Sequence, residues 1–269
     1  MPRLVFGRGL GCLKDPIDKR DFHLTRLPPR LRVKLPAKID YTSGMSAVSD
    51  QGDEGTCVGF ASVDGMKEYQ ELKEWKKDVQ LSVRYVYTEA RKLDFWPSDE
   101  GTSIRSAMKV LCNKGVPPED CWKYKPHQAD KPCKNAKELA KPYRIERYVT
   151  LDTTDEMRES LFVNGPFVGG VDVYECWEKP SVDRTGVIPM PKKGERLLGG
   201  HAICIMGYDD KKKRFKFKNS WSADWGEKGY GYIPYAYVEK YGSDHWSGKD
   251  RLDDAETAKA IVKALAGLG

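Results

Sequence analysis

The sequence predicts an α+β protein with two lobes, because helical patterns fill its first half and strand patterns its second. Apolar residues recur every third position over 57–77, which is within the range of a buried helix face. From about residue 143 onward, short runs rich in β-branched and aromatic residues replace that periodicity. Helices early and antiparallel strands late are typical of an α+β fold.

The composition excludes several classes of protein. The chain has 269 residues with 46 Lys plus Arg and 40 Asp plus Glu, a net charge of +6 spread along its length. A nucleic-acid groove needs a concentrated basic stripe, and the run Lys211 to Arg214 is better interpreted as a hairpin tip. Mean hydropathy is −0.65 and no apolar stretch approaches about 18 residues, so neither nucleic acid nor membrane is predicted as a partner.

Residues 1–36 differ from the rest of the chain, because prolines at 16, 28, 29 and 36 prevent a helix of useful length. We predict an extended N-terminal arm. Such an arm either lies in a groove as an inhibitory segment or packs on the surface as a strap. No secretory signal is visible. Localisation therefore stays open between the cytoplasm, export by another route, and a leader that this sequence lacks.

Three helices are predicted in the first half, near residues 57–77, 82–93 and 101–114, and Gly115 ends the third. Residues 116–142 are rich in proline and lysine and are predicted to be loop. In the second half we predict strands at 143–151, 167–173, 201–208, 214–219 and 229–235. Short helices are predicted at 154–163 and, as the C-terminal element, at about 254–267.

The seven cysteines do not form a metal-binding pattern. Cys112, Cys121 and Cys133 cluster, but there is no CxxC and no histidine at zinc-finger spacing, so no structural metal is predicted. In an oxidising compartment, a disulfide among these three cysteines is expected.

Cys57 is the first residue with predicted chemistry, because it starts the long helix. The positive end of a helix favours a thiolate over a thiol. Gln51 lies six residues earlier across a glycine-rich turn, which brings its side-chain amide toward the place where an oxyanion would form. Taken alone, this segment would more often be a buried structural cysteine behind a polar turn.

His201 and Asn219 form the second part of the pattern. His201 opens an otherwise apolar strand, and Asn219 ends the strand that follows. If the intervening hairpin turns at residue 210, His201 and Asn219 lie opposite each other and point to the same side of the sheet. Asn219 then fixes the imidazole tautomer, while Trp221 and Trp225 keep water from that hydrogen bond. A lone histidine here would more often be structural.

Together these segments resemble the papain-like cysteine peptidases, and bacterial members in particular. Gln51-Gly52 with Cys57, then Gly200-His201-Ala202, then Lys218-Asn219-Ser220-Trp221 through Gly229-Tyr230 match the family's signatures. The spacing from Cys57 to His201 falls within the roughly 130–150 residues expected of such enzymes.

The resemblance implies a papain-like two-lobed fold with the active-site cleft between the lobes. The helical left lobe would span about 37–142 and the antiparallel, β-barrel-like right lobe about 143–252. Residues 37–269 would then form the peptidase domain. Residues 1–36 would be a short pro-segment or an N-terminal arm, which suggests a zymogen.

The resemblance also implies substrate contacts. Gly101 falls where the family pairs its backbone with an extended peptide, and Gly170 near the pocket for the residue preceding the scissile one. Gly200 lies beside the histidine, and Trp221 borders the leaving-group side. Glu54 and Val58 replace the family's usual Cys and Trp. The first change removes a disulfide and the second alters packing, but neither removes a catalytic group.

These residues predict a cysteine peptidase that forms an acyl-enzyme thioester on Cys57. The Cys57 thiolate would be paired with His201 as imidazolium, which then protonates the leaving amine. Asn219 would orient His201, and Gln51 would be an oxyanion donor. The mechanism calls for no metal or organic cofactor. Protein or peptide substrates and a monomeric state are expected. Two alternatives remain: a catalytically silent binding or inhibitory module on the same fold, and an acyl transferase that uses an amine in place of water.

Overall fold

The computed structural model describes residues 3–24, 34–76, 78–94, 100–128 and 130–250. The C-terminal helix predicted at 254–267 lies outside the described residues. Within them, buried apolar side chains form two cores. One packs among the helices of the first half and includes Cys57, and the other packs against the sheet of the second half. This arrangement confirms the predicted α+β fold with two lobes.

The predicted first-half helices are present. The long helix runs from Cys57 to Trp75 as α1 (Cys57–Phe60), a π-helical segment (Ala61–Lys67) and α2 (Glu68–Trp75). It is followed by α3 (Val83–Arg91) and α4 (Ile104–Asn113), whose first turns are capped by the hydroxyls of Ser82 and Ser103. Gly115 has φ +80°, a conformation that favours glycine, and ends α4 as predicted.

The region predicted as loop, 116–142, is not entirely irregular. It contains 3₁₀ turns at Glu119–Cys121 and Lys141–Tyr143 and the short helix α5 (Ala136–Ala140). A disulfide joins Cys121 to Cys133, two of the three cysteines singled out from the sequence, while Cys112 is free.

The second half is built on one large antiparallel sheet. Four short strands precede it in the chain: β1 (Arg3–Val5), β2 (Arg8–Leu10), β3 (Cys12–Leu13) and β4 (Lys38–Asp40), and β5 (Thr102–Ser103) lies before α4. The main strands are β6 (Arg147–Thr150), β7 (Phe167–Tyr174), β8 (Leu197–Asp209), β9 (Arg214–Lys218), β10 (Tyr230–Pro234) and β11 (Gly242–Lys249). They pair in the order β10-β9-β8-β7-β11-β6, with β4 also pairing with β8. Among the described residues the sheet is open and does not close into a barrel, which is compatible with the predicted barrel-like lobe.

Helices cover the sheet. They are α6 (Thr154–Asn164), α7 (Pro180–Thr185) and α8 (Tyr235–Tyr241), with a 3₁₀ turn at Glu175–Glu178. Helix α6 was predicted, and its first turn is a capping box between Thr153 and Glu156. Helices α7 and α8 and strand β11 were not predicted, because each is short or interrupted by glycine and polar residues.

Strand β8 divides the two cores. Ala202 and Cys204 pack into the helical core, whereas Ile203 and Ile205 pack into the other, because successive strand residues point to opposite faces. His201 therefore points away from the face that Ala202 presents to the helices.

The predicted hairpin register is wrong. Cys204 pairs with Lys218 and Tyr208 with Phe215, a displacement of two to three residues from a turn centred at residue 210. The tip is wider than predicted, and a bulge between Ile205 and Gly207 adds one more residue on β8. His201 and Asn219 are consequently diagonal neighbours beyond the last paired residues.

The N-terminal arm lies against both lobes. Strands β1 and β2 form a small hairpin, and β3 pairs in parallel with β5 in front of α4. Farther along, Asp15 accepts a hydrogen bond from Trp246 Nε1 at 2.8 Å, and Arg105 pairs with Asp21. The arm thus contacts both the helical lobe and the sheet, and it spans the boundary between them.

Candidate active site

Cys57 is fully buried at the start of α1, next to strand β8. Its sulfur accepts a hydrogen bond from the backbone N–H of Ala202 at 3.4 Å, and the nearby backbone N–H groups of Gly11 and Val58 also act to lower its pKa. Burial nevertheless dominates and raises the pKa of the thiol to about 11. With the arm in place the sulfur is therefore a neutral thiol, in contrast to the thiolate that the helix terminus predicts.

His201 is held by Asn219. The distance from His201 Nε2 to Asn219 Oδ1 is 2.8 Å, and the same oxygen accepts the N–H of Ser220 at 2.9 Å. Because an amide oxygen only accepts, Nε2 carries the hydrogen and Nδ1 is the basic nitrogen. Nδ1 is buried and has no hydrogen-bond partner among the described residues.

An aromatic wall surrounds this imidazole. Trp221 stacks on it with ring centroids 4.6 Å apart, and Trp177 meets it edge-on at 6.2 Å. Burial lowers the pKa of His201 to about 4, while the hydrogen bond to Asn219 acts in the opposite direction. The imidazole is therefore neutral at pH 7 in this state, like the thiol.

Gln51 links the turn before Cys57 to the segment after Asn219. Its Oε1 accepts the Ser220 hydroxyl at 2.6 Å, and its backbone N–H donates to the Ser220 carbonyl at 2.9 Å. Its Nε2 donates to the carbonyl of Glu54 at 2.8 Å and to that of Gly9 at 3.0 Å. A carbonyl of the arm thus occupies the amide donor that was predicted to serve an oxyanion.

The four residues predicted to contact substrate all lie against the arm. An ideal Cβ on Gly101 would lie 2.3 Å from the Gly11 carbonyl oxygen, and one on Gly200 would lie 2.2 Å from that of Cys12. An ideal Cβ on Gly170 would lie 3.2 Å from Cys12 Sγ. The Arg8 guanidinium lies 5.9 Å from the Trp221 ring centroid. A peptide segment of the chain itself therefore fills the predicted substrate groove.

A buried ion pair behind the site was not anticipated from the sequence. Lys218, which precedes Asn219, donates to the carbonyl and to the carboxylate of Asp64, each at 3.0 Å, and to Ser46 at 2.9 Å. The π-helical segment makes this possible, because the N–H of Glu68 bonds to Val63 and leaves the Asp64 carbonyl free of it. This ammonium ties the helix of Cys57 to the strand that leads to Asn219.

Glu54, which replaces the cysteine usual in the papain-like family, forms a different cross-link. It accepts two hydrogen bonds from Arg84, at 2.7 and 2.5 Å, and one from the backbone of His127 at 2.9 Å. The turn before Cys57 is thereby fastened to α3 by an ion pair, and the paired arginine lowers the pKa of the carboxyl against the effect of burial.

Two other features are absent from the described part of the chain. No group of three or more His, Cys, Asp or Glu side chains there is arranged to hold a metal ion. No helix there is long and apolar enough to cross a membrane.

The chain is similar to known proteins in both sequence and fold. The family model for papain family cysteine proteases matches residues 35–245. The crystal structure of xylellain, a cysteine protease from Xylella fastidiosa, superposes with a TM-score of 0.81 at 31% identity and covers 91% of this chain and 97% of that one. An uncharacterised peptidase C1-like protein of Acanthamoeba polyphaga mimivirus is 30% identical over 91% of this chain and 88% of its own length. Ananain from Ananas comosus is 30% identical over 73% of this chain and 55% of its own length.

Proposed function

The chain belongs to the papain family of cysteine proteases, and from that premise we propose that it hydrolyses peptide bonds through Cys57 and His201. One observation carries the proposal. The N–H of Ala202 donates to the Cys57 sulfur, so the thiol lies beside the residue that follows His201, while Asn219 holds the far side of the imidazole. The closeness of Cys57 to the His201-Ala202 segment supports their assignment as nucleophile and base, with Asn219 as the orienting group.

In the proposed reaction, His201 Nδ1 takes the proton of the Cys57 thiol as the sulfur attacks the scissile carbonyl carbon. The resulting imidazolium then gives that proton to the departing amine, and a thioester remains on Cys57. Water attacks the thioester with His201 as base, which releases the acid and restores the thiol. Asn219 keeps Nε2 protonated throughout, so that Nδ1 performs both transfers.

The negative oxygen of the tetrahedral intermediates needs donors that are already aligned. We assign this role to Gln51 Nε2 and to the backbone N–H of Cys57. Gln51 is suited to it because its carbonyl oxygen is engaged by Ser220, which fixes the direction of its amide hydrogens. The position of the Gly9 carbonyl, 3.0 Å from Nε2, is consistent with a carbonyl binding there.

We further propose that residues 1–36 form an arm that inhibits the peptidase domain, residues 37–269. The arm runs from Arg8 at Trp221 to Cys12 at Gly170, that is, from the leaving-group side toward the side of the preceding residues. A substrate is expected to run the opposite way. The arm therefore fills the groove without presenting a scissile carbonyl in the productive direction, and it can block the site without being cut.

The test is to compare the wild-type chain with Cys57→Ala on an extended-peptide library, with Cys112→Ala as matched control. Cys112 is a free, partly exposed cysteine on α4. We expect Cys57→Ala to abolish both turnover and labelling by a thiol-directed epoxide, and Cys112→Ala to retain both. Turnover that survives in Cys57→Ala would refute the assignment.

The two alternatives predict other results. If no peptide is cleaved and no thiol with a lowered pKa titrates, whether the arm is docked or displaced, the chain is a binding module. If added amines are incorporated into the product in preference to water, it is an acyl transferase.

A further inference from the structure

Asp172 lies on the floor of the groove that the arm fills. Strands β7 and β8 pair Gly170 with Ala202 and Asp172 with Gly200, and residues opposed in this way point to the same side of a sheet. Cys12 of the arm contacts that side at both Gly170 and Gly200. The carboxylate of Asp172 therefore faces the groove, opposite Gly200 and two residues along β7 from Gly170.

In this position Asp172 binds a cation of the peptide that occupies the groove. Lys14 Nζ lies 3.2 Å from Asp172 Oδ1, and within the described residues Lys14 is its ion-pair partner. The exposed fractions of the two side chains differ, at 18% for Asp172 and 66% for Lys14. The Asp172 carboxylate is thus mostly buried in the floor of the groove, whereas the lysine reaches it from the peptide that occupies the groove.

The neighbouring acid, Asp244, is in a different situation. It accepts the backbone N–H of Asp15 at 3.1 Å, and burial raises its pKa, although that hydrogen bond and the charges of Arg105 and Lys14 act in the opposite direction. Arg105 belongs to α4 and lies 5.6 Å from the Trp246 ring centroid, so it stays when the arm leaves. Lys14, by contrast, leaves with the arm, and Asp172 then faces the open groove without its partner.

We propose that Asp172 is a specificity-determining residue that selects substrates with a lysine or arginine within the four residues preceding the scissile bond. The inference rests on the proposed peptidase function. It follows from the arm because Lys14 enters the groove on the Gly170 side, where those residues are expected to lie. A substrate lysine can form the same ion pair with Asp172 that Lys14 forms. A substrate arginine has the geometry to bind both oxygens of that carboxylate.

The experiment is a competition between pairs of peptides that differ at one position, Lys or Arg against norleucine and Glu, cleaved in one tube by the full-length chain. The ratio of the two rates in one tube does not depend on how many molecules have the arm displaced, so a looser arm in a variant does not distort it. The enzymes are the wild type, Asp172→Asn, Asp172→Lys and the matched control Asp120→Asn, whose carboxylate is exposed and pairs with Lys123 away from the groove.

We expect the wild type and Asp120→Asn to prefer the basic peptide over norleucine by about fivefold at one preceding position, as for a single partly exposed ion pair. Asp172→Asn should bring that ratio near one, and Asp172→Lys should favour Glu instead. A ratio that Asp172→Asn leaves unchanged, or a wild type that cleaves peptides without regard to their charge, would overturn this inference alone. A chain that cleaves none of the peptides would overturn the proposed function and this inference with it.

Discussion

Replacing Gly11 with valine should expel the arm from the groove and activate the full-length chain. Gly11 lies where the arm passes closest to the start of α1. An ideal Cβ at this position would lie 2.0 Å from the carbonyl oxygen of Gly55 and 2.5 Å from its Cα. These are backbone atoms, and the N–H of Gly55 is itself bonded to Glu100 at 2.9 Å, so the wall cannot move aside easily.

The size of the effect follows from this overlap. Forcing extra carbons into a packed site costs about 1–3 kcal/mol. A cost of about 3 kcal/mol changes the ratio of docked to released arm by roughly 150-fold. The rate on a short peptide substrate should rise by up to that factor, until the groove is open in every molecule.

The assay compares initial rates on one peptide and rates of epoxide labelling at Cys57 between wild type and Gly11→Val. Labelling should also accelerate near pH 7, because water reaches the thiol once the arm leaves and its pKa falls from about 11. Ile17→Ser is the matched control, since that arm residue is 99% exposed and should leave both rates unchanged. Equal rates for wild type and Gly11→Val, in proteins with the same unfolding temperature, would refute the reasoning.

Three further predictions concern other groups. Burial raises the pKa of Asp15 from 3.8 to about 6, so docking of the arm takes up a proton. Docking is therefore strongest below pH 4 and weakens as the pH rises through 6. The rate of wild type relative to Gly11→Val should rise over that range, and Asp15→Asn should flatten the rise. Gln51→Ala should lower kcat by about 10²–10³ with Cys57 labelling retained, and a loss below tenfold would exclude it as an oxyanion donor. Lys218→Met leaves a buried carboxylate without its cation and should lower the free energy of unfolding in urea by about 3–5 kcal/mol. Lys211→Met, at an exposed lysine, should change the free energy of unfolding by less than about 0.5 kcal/mol. Equal effects of the two substitutions would contradict a stabilising buried ion pair between Lys218 and Asp64.

Local signals in the sequence were enough for much of the fold. The apolar period of three predicted the helix that begins at Cys57, and the alternating apolar runs predicted the strands on which the sheet is built. These signals work because helix and strand periods are properties of a few consecutive residues. Polar, short elements such as α7 and strand β11 lack such a period, and the sequence did not reveal them.

The site residues were recognisable for a similar reason. Cys57 follows a glycine-rich turn, and His201 and Asn219 stand in short motifs whose residue types suit one chemistry. The structure brings the last two within 2.8 Å, although the register predicted for their hairpin was wrong. A bulge and a wider tip shifted the pairing, and neither has a clear signal in the residues that form it.

The sequence by itself thus determined the main helices and most of the strands, and it provided the candidate catalytic side chains. Only the tertiary structure decided what surrounds them: the arm on Cys57, the Gly9 carbonyl on Gln51, Lys14 on Asp172 and the buried pair of Lys218. These contacts join residues far apart in the chain, so they depend on how the two lobes pack. The ionisation of Cys57 shows the difference, because its place at a helix start favours a thiolate, whereas burial beneath the arm raises its pKa to about 11.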